Sequence, residues 1–246
     1  MKNNLFVLGY NAVNYFCEWF NYEDNPNAKL HFVDNGNQEI PDKIRNDLIY
    51  KTSKNLGASG GWNLCCNIAF NVLGYDKIII GEEDARFSEE ILNEITNRTT
   101  PNVLCGTYNN SFEFSLYGIH KDTWNSVGPF DENFLLAGCE DNDYKHRCKL
   151  KNVEVISLGV SHHFNGNSTT SPGNSAIPQH IRNYNGKYVE EKWDNYNDGG
   201  SNLSWFGVSN PNTADGRFDP VSPIEQISAG PGVNPVLVIR SGAGVY

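Results

Sequence analysis

The sequence predicts an α/β fold, a mixed and mainly parallel sheet flanked on both faces by helices. Three observations carry that expectation. Short apolar runs alternate along the chain with stretches whose apolar residues recur at helical spacing. That alternation is the mark of parallel strands joined by covering helices. The residues just after the runs, where such sheets bind ligands, are polar or glycine-rich: Asp34, residues 55–61 and residues 82–84.

The first run, residues 5–8, is closed by Gly9, and residues 11–20 place Val13, Phe16, Cys17 and Phe20 on one helical face. Residues 28–33 form a second strand that ends in Asp34-Asn35-Gly36, and residues 48–50 a third that ends before the glycine cluster of 55–61. A helix over 62–73 follows, then the most hydrophobic strand, 77–80. Residues 112–120 read as an aromatic strand, 140–150 as a helix and 153–164 as a further strand. Beyond residue 195 the composition turns to Gly, Pro, Asn and Ser with few charges, and residues 235–239 add one candidate strand. The expected organisation is one domain over 1–194 and an appendage over 195–246. An exposed aliphatic strand there would seek a partner, so the appendage is expected to dock on the domain or to join a second copy in a homo-oligomer.

A net charge of −10 supplies no basic surface for the phosphates of nucleic acid, which excludes that class of partner. No apolar stretch approaches the ~18 residues of a membrane span. The six cysteines include no CxxC pair and no Cys/His zinc spacing, and the amino terminus enters a folded pattern directly; the expected location is the cytoplasm.

Glu82-Glu83-Asp84 directly follows an apolar strand. Side chains alternate across a strand, so Glu82 and Asp84 share one side while Glu83 faces away. Two carboxylates in one small volume repel unless a cation or a proton compensates, and hard cations such as Mg2+ and Mn2+ take oxygen ligands and bridge to phosphates. A solvated acidic turn is the plainer alternative.

A second acidic constellation lies in Gly128-Pro129-Phe130-Asp131-Glu132-Asn133-Phe134, then Glu140-Asp141 with Asp143, and Arg147. With Asp34-Asn35-Gly36, Asn55-Leu56-Gly57, Gly60-Gly61, Asn63, Glu82-Glu83-Asp84, His163-Phe164-Asn165-Gly166-Asn167-Ser168, Arg182-Asn183 and Lys192-Trp193, it resembles the motif series of family 2 glycosyltransferases, rhamnosyltransferase-like members above all. The motifs stand in the family order over about residues 5–193.

That resemblance implies a GT-A fold, inversion at the anomeric carbon, a nucleotide-sugar donor with UDP or dTDP favoured, a glycan or glycoconjugate hydroxyl as acceptor, and Mn2+ or Mg2+. It places Asp34 at the nucleobase and Asn55, Gly57, Gly60, Gly61, Asn63 and Glu83 around the donor, where glycine admits close backbone approach. Asp84 becomes the metal ligand with Glu82 in support, although the family often has Asp where this chain has Glu82. His163, or its neighbour His162, supplies a further ligand. Asp141 becomes the base that takes the acceptor proton, with Glu140 the second candidate. Arg147 orients, Trp124 contributes to an acceptor platform with Phe130, Phe134 and Tyr144, and Lys192 and Trp193 close the site. Each aromatic has a core alternative. Two other readings stand beside this one: a non-catalytic carbohydrate-binding or assembly protein on the same fold, and a sugar nucleotidyltransferase. The latter needs a basic glycine-rich loop after the first strand, where this chain has Gly9-Tyr10-Asn11-Ala12.

Overall fold

A computed structural model describes residues 3–36, 38–44, 48–52, 54–108, 112–158, 178–193, 224–227 and 236–239. The predicted alternation is present: β1 (Asn3–Gly9), α1 (Val13–Trp19), β2 (Ala28–Asp34), β3 (Leu48–Thr52), α2 (Gly57–Asn67) and β4 (Lys77–Glu82). Then come α3 (Glu89–Arg98), β5 (Val103–Tyr108), β6 (Phe112–His120), α4 (Lys121–Val127), α5 (Glu140–Leu150), β7 (Glu154–Ser157), α6 (Gln179–Lys192), β8 (Ile224–Ile227) and β9 (Val236–Ile239). Among the described residues they form one nine-stranded sheet in the order β7-β5-β6-β4-β1-β2-β3-β9-β8. Only β6 and β8 run against the others, so the sheet is mixed and mainly parallel.

The alternation of β1 divides the core into two layers. Leu5 and Val7 pack with Val13 and Phe16 of α1 and Leu92 and Ile95 of α3, whereas Phe6 and Leu8 pack with Trp62, Cys65 and Cys66 of α2. Each such side chain, removed from water, stabilises by about 1.5–3 kcal/mol. Both faces being covered explains why residues 5–8 are continuously apolar rather than alternating with polar ones.

Several elements differ from the sequence expectation. The glycine cluster is not a loop: Gly57, Gly60 and Gly61 lie inside α2, which starts five residues earlier than expected and continues as a π turn over Ile68–Val72. The physical reason is packing. A Cβ on Gly61 would stand 2.5 Å from Leu8 Cδ2, so glycine is what lets α2 lie this close to β1. Helix α3 was not anticipated, although its signals are local. Ser88 Oγ accepts from the Ile91 amide at 3.4 Å, Glu89 and Glu90 sit in the first turn and Arg98 in the last. Helix α6 is also new, and it is anchored mainly by buried polar contacts that no hydrophobic period signals. The strand expected over 153–164 is seen as Glu154–Ser157, and residues 159–164 lie outside the described residues.

The candidate strand of the appendage is β9. It pairs in parallel with β3, Tyr50 opposite Leu237 and Thr52 opposite Ile239, and β8 pairs with its other side, so the two extend this chain's own sheet past β3.

Candidate active site

Because β1, β2, β3 and β4 run in parallel, Gly9, Asp34, Thr52 and Glu82 end at one edge of the sheet. Glu83 organises that edge. Its Oε1 accepts hydrogen bonds from the backbone amides of Tyr10 and Ala12, the latter at 2.7 Å, and its Oε2 accepts from Gln38 Nε2 at 3.2 Å. Asn11 between them is left-handed, with φ 67°. Burial pushes the Glu83 carboxyl up to about 7, opposed by these hydrogen bonds. Its partners are protein amides, so Glu83 shapes the loop after β1. Tyr10, which the sequence motifs do not single out, is 36% exposed in that loop.

Asp34 is corrected. Its carboxylate is fully buried and turned onto its own loop, accepting from the Gly36 amide at 3.1 Å and the Gln38 amide at 2.9 Å, with Lys51 Nζ at 3.5 Å. An Asp before Asn-Gly builds its own turn, and here both oxygens accept from amides of that turn. Asn35 then ties β2 to α2: its Nδ2 donates to Asn55 Oδ1 at 3.0 Å and to the Gly57 carbonyl at 3.1 Å, and its Oδ1 accepts from the Leu56 amide at 2.8 Å.

The second wall is the segment 130–141. Asn63, fully buried on α2, grips it by accepting from the Phe130 amide at 2.7 Å and donating to the Phe130 carbonyl at 2.9 Å and Glu132 Oε1 at 2.8 Å. Asn63 therefore positions this wall from within the protein. Gly57 (φ 72°) touches the same wall, for a Cβ there would stand 2.7 Å from the Leu136 carbonyl oxygen. The following backbone is unusual: Leu136 (φ 56°), Gly138 (φ 110°) and Cys139 (φ 74°) are all left-handed. Such strain persists only where surrounding structure enforces it.

That loop delivers Glu140 and Asp141 to the start of α5. Asp141 is one-third exposed and pairs with Lys145 at 3.4 Å. Glu140 is 5% exposed, and its Oε2 has no protein hydrogen-bond partner among the described residues. Burial, reinforced by the charge of Asp141, pushes the Glu140 carboxyl up to about 8. The pair thus offers two different environments, one open and one dry, at adjacent positions.

Beneath them lies a buried ionic network. Asp143 accepts from Arg147 Nε at 2.9 Å, Lys192 Nζ at 2.7 Å and Trp193 Nε1 at 3.1 Å, while Asp131 accepts from Lys192 and from Tyr188 at 2.9 Å. Arg147 also donates to the carbonyls of Val127 and Pro129. Lys192 and Trp193 are at most 2% exposed, so they lock α6 beneath the wall rather than close over a cleft. The aromatic platform is corrected as well: Phe130, Phe134 and Tyr144 are core residues, and Trp124 packs on Phe70 from α4, which follows β6 at the opposite end of the sheet.

For a divalent cation, the donor set that fits is the carboxylate oxygens of Glu82 and Asp84 where β4 ends, since such ions take oxygen ligands and complete their shells with phosphate and water. Glu82 is half-buried and Asp84 buried. Among the described residues no group of three His, Cys, Asp or Glu side chains is arranged around one point. His162 and His163 lie outside the described residues. An open groove of about 520 Å3 is lined by Asn4, Lys77, Thr96 and His120 at the amino end of β4, and it contains none of the expected site residues.

A mainly parallel sheet with the reversed β6 beside β4, helices on both faces and a polar carboxyl edge is the GT-A fold. Among solved structures it is similar to the catalytic domain of Drosophila β1,4-galactosyltransferase 7 in complex with xylobiose, with TM-score 0.56 and 9% identity over 99% of this chain and 95% of that one. A mutant of that enzyme in complex with manganese, UDP-galactose and xylobiose gives TM-score 0.51 and 9% identity over 98% and 95%. No family model and no curated protein sequence matches the chain. At such identity the likeness establishes the fold and leaves the chemistry to the residues. Among the described residues, no helix is long and apolar enough to cross a membrane.

Proposed function

We propose that this chain is a metal-dependent, inverting glycosyltransferase of family 2 type that moves a sugar from a nucleoside diphosphate donor, UDP- or dTDP-linked, to a hydroxyl of a glycan or glycoconjugate. The observation that carries the reading is the carboxyl edge of the sheet. Loops after β1, β2 and β3 are knitted together there by Glu83, Asn35 and Asn55, and they meet the strained loop that presents Glu140 and Asp141.

In this reading Asp84, supported by Glu82, holds the cation. When bound, the cation offsets charge that builds on the departing diphosphate. Asp141, the exposed member of its pair, lies within reach of the acceptor and takes its hydroxyl proton as the oxygen attacks the anomeric carbon. Glu140, dry and holding its own proton near neutral pH, donates a hydrogen bond to the acceptor. Arg147, Lys192 and Trp193 act below the site, keeping α5 and α6 in register. The cytoplasm suits six cysteines that are all free thiols.

The deciding experiment is a screen of UDP-, dTDP- and GDP-sugars for Mn2+-dependent binding and hydrolysis, followed by transfer to simple sugar hydroxyls. Donor binding with hydrolysis or transfer is the expected result. Donor binding without either would favour a non-catalytic binding protein, and binding of a nucleoside triphosphate with sugar phosphate would favour nucleotidyl transfer. Absence of all three would remove the proposal.

A further inference from the structure

Asn185 stands on α6, outside every residue considered so far for binding or chemistry, and its side chain is fully buried. Its Oδ1 accepts from the Leu135 amide at 2.8 Å, and its Nδ2 donates to the carbonyls of Leu135 at 2.9 Å and Ala137 at 3.1 Å. A single side chain thus satisfies three backbone groups of the loop in which Leu136, Gly138 and Cys139 are left-handed. On the other side, the Leu136 carbonyl accepts from the Ala58 amide at the start of α2. The loop is held between two helices, and Glu140 and Asp141 are the next residues out of it.

The chemistry of the clamp is specific. Left-handed backbone is unfavourable at a non-glycine residue, and Leu136 and Cys139 must be held there by their surroundings. An asparagine amide offers an acceptor and two donors in one plane. Aspartate keeps the acceptor but turns the donor side into a second acceptor facing two carbonyls. Alanine supplies nothing and leaves three backbone groups without partners. Helix α6 has its own anchor in the Lys192 ion pairs with Asp131 and Asp143, so the clamp is tied to the body of the protein.

We infer that Asn185 is a positioning residue for the transfer step: it fixes the loop 135–139 and thereby sets where Glu140 and Asp141 stand relative to the acceptor. This rests on the proposed glycosyl transfer. Its consequence is a separation of functions, because donor binding depends on the loops after β1 to β4, whereas the acceptor step depends on α6.

The test compares Asn185→Ala and Asn185→Asp with Leu92→Ala, which weakens the core on the far face of the sheet. Three quantities are read in the full chain: amide exchange across residues 135–139, Mn2+-dependent UDP affinity, and kcat and acceptor KM. Both Asn185 variants should exchange faster in that segment and lose about 10- to 100-fold in kcat, as expected for misplaced catalytic groups, with UDP affinity within about twofold. Leu92→Ala should lower the melting temperature without either local effect. Asn185→Asp keeps the size of the side chain and so retains the test if the alanine variant does not fold. Unchanged exchange overturns the clamp. Faster exchange with wild-type kcat, or a kcat loss no greater than that of Leu92→Ala, overturns the positioning role. A wild-type chain that transfers no sugar refutes the proposed function instead, while the exchange measurement still decides the clamp.

Discussion

At the scale of single residues, the carboxylates divide by the partners the fold gives them. Asp34, Asp131 and Asp143 are consumed by internal partners. Asp84, Glu140 and Asp141 are the ones the proposed mechanism assigns to ligands. Replacing Asp84 by Asn should weaken Mn2+-dependent donor binding by tenfold or more, about 1.4 kcal/mol, while the melting curve stays close to wild type. Unchanged metal-dependent binding, followed by calorimetry, would sink that assignment. Asp141→Asn should retain the donor and lose about 10² or more in transfer, because shape is kept and the proton acceptor removed. Should Asp141→Asn transfer normally and Glu140→Gln fail, the two roles must be exchanged. Glu140 also makes a pH prediction, since its folded value of about 8 stands above the ordinary 4.5. Between those values the folded chain keeps a proton that the unfolded chain has released. Its contribution to stability is therefore complete below about 4.5 and is lost as pH rises toward 8, by at most about 1.4 kcal/mol per pH unit. Asp141 and Asp143, the nearby carboxylates, act in the same direction. Glu140→Gln lacks this slope, so denaturant unfolding of the two proteins should diverge from pH 5 to pH 8, and parallel curves would contradict the buried, protonated Glu140.

At the scale of elements, α2 and the loop it touches show how packing overrides local signals. Glycine is the weakest ordinary helix former, disfavoured by about 1 kcal/mol against alanine, yet Gly57, Gly60 and Gly61 open this helix. Close approach to Leu8 and Leu136 compensates. The comparison of Gly57 with Gly74 isolates that contribution: both are left-handed, with φ 72° and 69°, but a Cβ on Gly74 meets nothing within 4 Å. Gly74→Ala should cost about 1 kcal/mol from backbone strain alone, and Gly57→Ala should cost about 2 kcal/mol more because the Leu136 carbonyl must move. Equal losses in thermal unfolding would mean that the Gly57 to Leu136 contact is not tight. The fold was most legible where an element meets the sheet through apolar side chains, as for residues 11–20. It was least legible for α6, where Asn185 and Lys192 do the anchoring.

At the scale of the whole molecule, the appendage is joined to the sheet through β9 on β3 and β8 beyond it. Of the proposed appendage over 195–246, β8 and β9 cover an edge of the sheet that bears the motifs. Removal of residues 195–246 would leave β3 as an open edge, and unpaired edge strands promote association between copies. A chain ending at residue 194 should still fold and bind donor, with a lower melting temperature and concentration-dependent self-association by sedimentation. If it cannot fold, or loses donor binding outright, the appendage is part of the catalytic domain.

By itself the sequence determined the α/β class, the order of the early strands and helices, and the placing of its polar motifs at strand ends. Those follow from local periodicity and from the side-chain alternation of strands, which need no knowledge of distant partners. It also put Glu82, Asp84, Glu140 and Asp141 forward as the residues with chemistry to do. Tertiary structure alone decided which carboxylates are spent internally, because a hydrogen bond from Lys192 to Asp143 spans residues with no relation along the chain. It alone set the Asp34 carboxylate in a turn, Phe130 and Tyr144 in the core, and Asn185 against the backbone of the loop 135–139. Burial and long-range geometry set those assignments, and neither is written in the spacing of residues.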